Sequence, residues 1–194
     1  MTHPASAHLL SPPREGKLPY QVRGEKPILL VDDSEHDLLF MKYALDKCDL
    51  GHRVISLHDG RDAIEYLTHA LSGSDPERYP LPCLVITDVK MPRVDGLGLL
   101  AWMRAQPGLE SVPKLVLSSS GEDSDRNRAE ALGCSAYFVK PTKLQSLVKL
   151  VEELGPIWIE RHCGTIAAGG APRSADNEKL WGREALKSLK SLKR

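Results

Sequence analysis

The chain has 194 residues, with 26 Lys plus Arg, 26 Asp plus Glu, 41% hydrophobic residues and 5% aromatic residues, which suits one domain with tails. It contains no run of 18 apolar residues and no basic segment followed by an apolar one at its start, so we expect a cytoplasmic protein without a membrane span. The four cysteines stand at least 29 positions apart, which gives no indication of a disulfide framework or a zinc ribbon.

The balanced total charge conceals an uneven distribution. Residues 25–160 carry 15 basic and 22 acidic side chains, whereas residues 1–24 and 161–194 are both net basic. The first segment, rich in proline, is predicted to be a disordered leader, and the last segment a linker followed by a basic tail. We therefore place a single acidic domain at residues 25–160, whose charge disfavours nucleic-acid binding.

Short apolar runs alternate with helical patterns along this domain. They consist mainly of Val, Ile and Leu and hardly alternate with polar residues, which is typical of parallel strands buried on both faces. We predict five strands, at Ile28–Val31, Val54–Leu57, Cys83–Ile86, Leu115–Leu117 and Ala136–Val139.

Helical spacing fills the gaps between these runs. Asp33 or Ser34 is placed to cap a first helix that ends near Lys47, and the last helix has an apolar face from Leu144 to Leu154. Five successive βα units with right-handed crossovers predict an α/β, three-layer, doubly wound domain around a five-stranded parallel sheet. In such a sheet the functional groups lie at the carboxyl ends of the strands.

Polar residues stand at those ends. The five residues are Asp32 and Asp33 after the first strand, Asp88 after the third, Ser118 at the end of the fourth and Lys140 after the fifth. Three clustered carboxylates repel one another unless a cation lies between them, and Mg²⁺ prefers a few carboxylates together with water and phosphate oxygens. Each residue alone also fits a cap, a turn or a solvated end, so only the set as a whole favours a functional site.

Four segments carry a family resemblance. LLVDD (29–33), TDVKMPRVDG (87–96), LVLSSS (115–120) and AYFVKP (136–141) together resemble the CheY-like receiver domain of two-component response regulators. The resemblance covers residues 26 to about 155 and implies a flavodoxin-like (βα)5 fold.

The resemblance also implies roles for the polar residues. Asp88 matches the aspartate that accepts a phosphoryl group from a histidine kinase or a phosphorelay protein. Asp32, Asp33, Asp88 and the backbone carbonyl of Lys90 match the ligands of Mg²⁺. Lys140 matches the lysine that pairs with the phosphate.

A second pair of residues matches the family's conformational switch. Ser118 stands where a hydroxyl bonds to the phosphoryl group, and Tyr137 stands at the switch-aromatic position, from which it is expected to swing inward. By this resemblance the chain catalyses phosphoryl transfer onto its own aspartate and a slow hydrolysis, and is not a turnover enzyme.

The segment after residue 160 is too short for an output domain with its own core, so signalling by protein contact is expected. The long loop at 72–82, Lys90 and Trp158 resemble stand-alone receivers that partner phytochrome-type histidine kinases, which implies a bacteriophytochrome partner. Those relatives dimerise through the fourth helix, fifth strand and fifth helix. An exposed Trp158 would suit such a surface, and a core tryptophan is the competing interpretation.

Two other functions stay open at this point. A phosphatase of the haloacid dehalogenase type also uses an aspartate nucleophile with Mg²⁺, although Asp88 lacks the second acid two residues later that this family requires. A DNA-associated regulator would use the basic tail. The nominal G-x-G-x-x-A at Gly96 lies too far beyond its strand to bind a dinucleotide and is predicted to begin a helix.

Overall fold

The computed structural model describes residues 26–48 and 52–160. The predicted leader at 1–24 and the predicted linker and basic tail at 161–194 lie outside the described residues, so the boundaries of the domain stay predictions. No helix in the described ranges combines the length and the apolar character needed to cross a bilayer.

One five-stranded parallel sheet forms the centre of the fold, as predicted. Its strands are β1 (Ile28–Val31), β2 (Val54–Leu57), β3 (Leu84–Thr87), β4 (Lys114–Ser118) and β5 (Ala136–Val139), in the order β2-β1-β3-β4-β5. The predicted bounds of β1, β2 and β5 are confirmed. β3 begins and ends one residue later than predicted, and β4 includes one additional polar residue at each end.

Five α-helices connect the strands and cover both faces of the sheet. They are α1 (Glu35–Lys47), α2 (Gly60–Ser72), α3 (Gly96–Arg104), α4 (Asp123–Ala131) and α5 (Leu144–Leu154), and a π-helical segment, Gly155–Glu160, follows. Ser34 caps α1, because its hydroxyl accepts a hydrogen bond from the amide of Asp37 at 3.2 Å. Asp59 caps α2 in the same way, at 3.0 Å from the amide of Asp62.

Two buried clusters of apolar side chains lie on opposite faces of the sheet. One joins β1, β3, β4 and β5 to α1 and α5, and the other joins β1 and β3 to α2 and α3. All residues of β1 and β3 are buried. The three-layer, doubly wound architecture is thereby confirmed, and it fixes the carboxyl ends of the strands at one edge of a rigid core.

Two side chains correct the sequence analysis. Trp158 is half-buried and packs against the apolar cluster that joins the sheet to α1 and α5. The interpretation as an exposed surface residue is therefore wrong. Cys83 takes part in a disulfide, which the wide cysteine spacing did not indicate. Neither residue belongs to the strand-end site.

Gly96, the first residue of α3, lies directly against the end of β3. A Cβ atom at this position would be 1.9 Å from the backbone oxygen of Asp88, a distance that no side chain can occupy. The glycine therefore allows α3 to begin beside Asp88, and the prediction that it starts a helix is confirmed.

Candidate functional site

Three carboxylates meet at the carboxyl edge of the sheet. Asp32 and Asp33 follow β1, Asp88 follows β3, and one oxygen atom from each lies within 4.8 Å of the others. Asp32 and Asp88 are each only 5% exposed, whereas Asp33 is exposed. The structure thus brings together the three acids that the sequence analysis grouped.

The sheet itself positions the two buried acids. The amide of Asp32 donates to the carbonyl of Leu57 at 3.0 Å, and the amide of Asp88 donates to the carbonyl of Val31 at 2.9 Å. The backbone hydrogen bonding of the sheet therefore continues one residue beyond the end of β1 and of β3. Each carboxylate also accepts a local amide, since Asp32 Oδ1 lies 3.1 Å from the amide of Ser34, and Asp88 Oδ1 lies 2.6 Å from that of Val89.

The ammonium group of Lys140 neutralises part of this charge. Its backbone is fixed by a 2.8 Å hydrogen bond from its amide to the carbonyl of Ser118. Its Nζ lies 2.7 Å from Asp32 Oδ2 and 3.3 Å from Asp88 Oδ2. Only 13% of the Lys140 side chain is exposed, so the two ion pairs are largely screened from water.

A fourth acid at this site was missed by the sequence analysis. Asp37, in the first turn of α1, places Oδ2 2.8 Å from the Nζ of Lys140. The only sequence signal was its position, three residues after the cap Ser34, where a helix that leaves β1 directly is still beside the strand ends. Three carboxylates, those of Asp32, Asp37 and Asp88, therefore contact one ammonium group.

These contacts shift the pKa values of Lys140 and Asp32. Burial alone would lower the pKa of Lys140, but hydrogen bonds to Asp32 and Asp37 and the charge of Asp88 outweigh it, and the pKa rises. Burial raises the pKa of Asp32 despite the opposing effect of Lys140. Lys140 is thus held as a cation. The positive charge near Asp32, by contrast, does not fully offset the cost of burying its carboxylate.

The acid cluster fits a hard divalent cation. Its donors are all oxygen atoms, two of its carboxylates are buried side by side, and the excess of acids over cations leaves negative charge to be neutralised. Lys90 is exposed two residues after Asp88, in the loop that leads to α3, and the role of its carbonyl as a ligand stays a prediction.

Ser118 and Tyr137 lie on neighbouring strands beside the acids. Ser118 is fully buried at the end of β4, and its Oγ accepts the amide of Ser120 at 3.3 Å. Tyr137 is 5% exposed, its hydroxyl donates to the carbonyl of Ser120 at 2.9 Å, and the Arg126 guanidinium lies 4.8 Å from its ring centre. Tyr137 is therefore already turned inward in this structure.

Comparisons with known proteins agree with one another on the family that this domain resembles. The response regulator receiver domain matches residues 28–152. Response regulator Rcp1 from Synechocystis sp. is 31% identical over 135 residues, which cover 70% of this chain and 90% of that protein.

Two solved structures are similar throughout the domain. The phosphorylated cyanobacterial phytochrome response regulator RcpA is 28% identical with a TM-score of 0.62, over 69% of this chain and 94% of that one. The Mn²⁺-bound form of Rcp1 is 29% identical with a TM-score of 0.62, over 75% and 99%.

Proposed function

The chain belongs to the response regulator receiver family, and we propose that Asp88 is the aspartate that accepts its phosphoryl group. The observation that carries this assignment is the position of the Asp88 carboxylate, at the end of β3 between two other acids and the ammonium group of Lys140. The donor is a phosphohistidine of a histidine kinase or of a phosphorelay protein.

In the transfer, a carboxylate oxygen of Asp88 attacks phosphorus while the bond from phosphorus to the imidazole nitrogen of the donor breaks. The electron pair of that bond leaves with the imidazole, and an aspartyl phosphate forms. Slow attack by water later returns the free carboxylate and inorganic phosphate. The chain therefore phosphorylates itself and does not turn over an external substrate.

Asp32, Asp33, Asp88 and the carbonyl of Lys90 are the proposed ligands of Mg²⁺. When bound, Mg²⁺ neutralises charge on the phosphoryl oxygens during transfer. Lys140 supplies a second, fixed positive charge, because its raised pKa keeps it protonated at any physiological pH. This charge pairs with the phosphoryl group once the Asp88 carboxylate has become an acyl phosphate, which carries its negative charge on the phosphoryl oxygens.

Ser118 and Tyr137 are proposed to report the modification. The Ser118 hydroxyl lies at the end of the strand next to β3 and donates to a phosphoryl oxygen after transfer. Because Ser120 contacts both the Oγ of Ser118 and the hydroxyl of Tyr137, a movement of the loop after β4 changes the hydrogen bond that holds the ring. The inward position of Tyr137 is then the state that phosphorylation stabilises.

The proposed partner is a histidine kinase of the bacteriophytochrome class, in the cytoplasm. Its support is the similarity to Rcp1 and to the phytochrome response regulator RcpA over nearly their whole length. A homodimer through the α4–β5–α5 face is part of this proposal. Val139 of β5 is 45% exposed and offers apolar surface on that face. The family match favours this function over a haloacid dehalogenase-type phosphatase, and the basic tail proposed for DNA lies outside the described residues.

Intact-mass measurement after incubation with acetyl phosphate and Mg²⁺ tests the assignment of Asp88. The wild type is expected to gain one phosphoryl group, and Asp88→Asn none. Asp46→Asn is a matched control, since Asp46 is an exposed residue of α1 without an ion pair in the described ranges. An undiminished gain of mass by Asp88→Asn would show that another residue is the acceptor.

A further inference from the structure

The loop from β3 to α3, residues 88–95, folds back onto the start of α2. Arg93 in this loop has φ = +61° and is the only non-glycine residue of the described ranges with a positive φ. A side chain in this backbone conformation is strained, so the surrounding contacts must hold it there. Those contacts are made with the residues that cap α2.

Arg93 forms two ion pairs across this contact. Its Nε donates to Asp59 Oδ2, and its Nη2 donates to Asp62 Oδ1 at 2.9 Å. Asp59 is only 1% exposed, and its other oxygen accepts the amide that caps α2. Because a buried carboxylate requires a partner, Asp59 holds Arg93 more firmly than a surface ion pair would.

A backbone contact lies directly beside these ion pairs. The amide of Gly60 donates to the carbonyl of Val94 at 3.0 Å, and a Cβ on Gly60 would be 2.6 Å from that oxygen. At the end of the loop, the amide of Gly96 donates to the carbonyl of Val89 at 2.9 Å. The loop is thus anchored next to Asp88 and at residues 93–94, and Lys90 lies between the two anchors.

We infer that Arg93 is a positioning residue for the divalent-metal site. Its pairing with Asp59 fixes the loop so that the carbonyl of Lys90 stays beside the carboxylates of Asp32, Asp33 and Asp88. Arg93 itself contacts neither the metal nor the phosphoryl group. This role rests on the proposed function, since it presupposes the metal site described above.

An electrostatic role and a positioning role of Arg93 predict opposite changes in the affinity for divalent cations when Arg93 is replaced. Loss of a cation from the neighbourhood of an acid cluster, by itself, makes divalent binding tighter. Loss of the anchor makes it weaker, because the loop carbonyl is no longer held in place. Loss of a group bonded directly to a metal ligand weakens binding by about 10- to 100-fold, and Arg93 acts one step further out, so an effect at the lower end of this range is expected. The sign of the change therefore separates the two effects.

The test is titration of the full-length, unphosphorylated chain with Mn²⁺ and with Mg²⁺ by isothermal calorimetry. Arg93→Gln is expected to bind Mn²⁺ about tenfold more weakly than the wild type, and Arg93→Lys to lie between them. The matched control is Arg61→Gln, at an exposed position in the first turn of α2 without an ion pair in the described ranges. This control loses the same charge and is expected to bind as tightly as the wild type or slightly more tightly.

A double variant separates positioning from a failure to fold. Arg93→Gln leaves Asp59 buried without its partner, whereas Arg93→Gln with Asp59→Asn removes both charges. Circular dichroism confirms that each variant is folded before titration, and the double variant is also expected to bind Mn²⁺ weakly. Binding as tight as that of the wild type, by either folded variant, would overturn the role of Arg93. Absence of saturable Mn²⁺ binding to the wild type would instead overturn the proposed metal site and this role with it.

Discussion

Replacing Lys140 with methionine removes the cation on which the buried acids depend. The Nζ of Lys140 lies 2.7 Å from Asp32 and 3.3 Å from Asp88, whose side chains are each 7% exposed. With an effective dielectric constant of about 20, these distances correspond to Coulomb attractions of about 6 and about 5 kcal/mol. The cost of burying Lys140 offsets much of this gain.

The net effect follows from what the substitution leaves behind. Methionine fills a similar volume, but Asp32 and Asp88 then lie side by side without a counter-charge. Breaking a buried ion pair from one side typically costs about 3–5 kcal/mol, so we expect Lys140→Met to lower the free energy of unfolding by that amount at pH 7 without divalent ions. The pair with Asp37 adds only about 0.5 kcal/mol, because Asp37 is 38% exposed and its charge is screened by solvent.

Urea denaturation followed by circular dichroism, with and without Mg²⁺, measures this effect. A cation bound at 100 times its dissociation constant stabilises the folded state by about 2.7 kcal/mol. The gain is expected to be larger in the variant, since Lys140 no longer repels the metal. Mg²⁺ should therefore reduce the difference in the free energy of unfolding between the variant and the wild type. Lys149→Met, at an exposed position of α5, is the control and should change stability by less than about 0.5 kcal/mol.

Two results would refute this reasoning. The first is a Lys140→Met variant within about 1 kcal/mol of the wild type in the absence of metal, which would mean that the acids are not charged or not close together. The second is a difference in the free energy of unfolding between variant and wild type that Mg²⁺ leaves unchanged. This result would mean that the acids do not bind Mg²⁺.

Two further predictions concern residues outside the acid cluster. His52 is buried, its Nδ1 has no partner in the part of the chain that the structure describes, and burial lowers its pKa below the usual 6.5. Below pH 6.5 the unfolded state takes up this proton first, so the free energy of unfolding should fall as the pH falls through the folded pKa. His52→Leu should reduce that loss between pH 7 and pH 5 in urea denaturation, and an identical pH dependence would contradict the assignment. Gly96→Ala forces a Cβ onto the backbone oxygen of Asp88 and should cost about 3 kcal/mol in the same assay, whereas Gly121→Ala, 3.8 Å from the nearest side-chain atom, should change little. Equal stability of the two glycine variants would count against the close packing of α3.

The sequence predicted the sheet well, because each strand contains a nearly continuous apolar run. The expected burial on both faces holds for β1, β3 and β4, whereas the edge strand β2 is half-buried and β5 is buried only in part. The bounds of β1, β2 and β5 were confirmed. β4 was predicted too short, since Lys114 and Ser118 at its ends are polar although both are buried in the structure. Hydrophobic pattern alone does not reveal a polar residue that is buried because it has local partners, such as the carbonyl of Leu109, 2.9 Å from the Nζ of Lys114.

Site residues directly after strands were predictable, and those elsewhere were not. Asp32, Asp33, Asp88 and Lys140 each follow a strand, and parallel strands bring their carboxyl ends together. Asp37 belongs to a helix and resembles any polar residue of an exposed first turn. Arg93 depends on a left-handed backbone and on a partner 34 residues away, neither of which leaves a local pattern.

The order of the strands separates two tasks within one small domain. The acids stand on β1 and β3 in the middle of the sheet, whereas the lysine, the buried serine and the tyrosine stand on β4 and β5 toward one margin. The three strand-end acids thus lie near the centre of the sheet, whereas Ser118 and Tyr137, the proposed switch residues, lie toward one margin. An exposed residue of β5 such as Val139 is separated from β1 by two intervening strands, so it can be replaced without disturbing the acids beside β1.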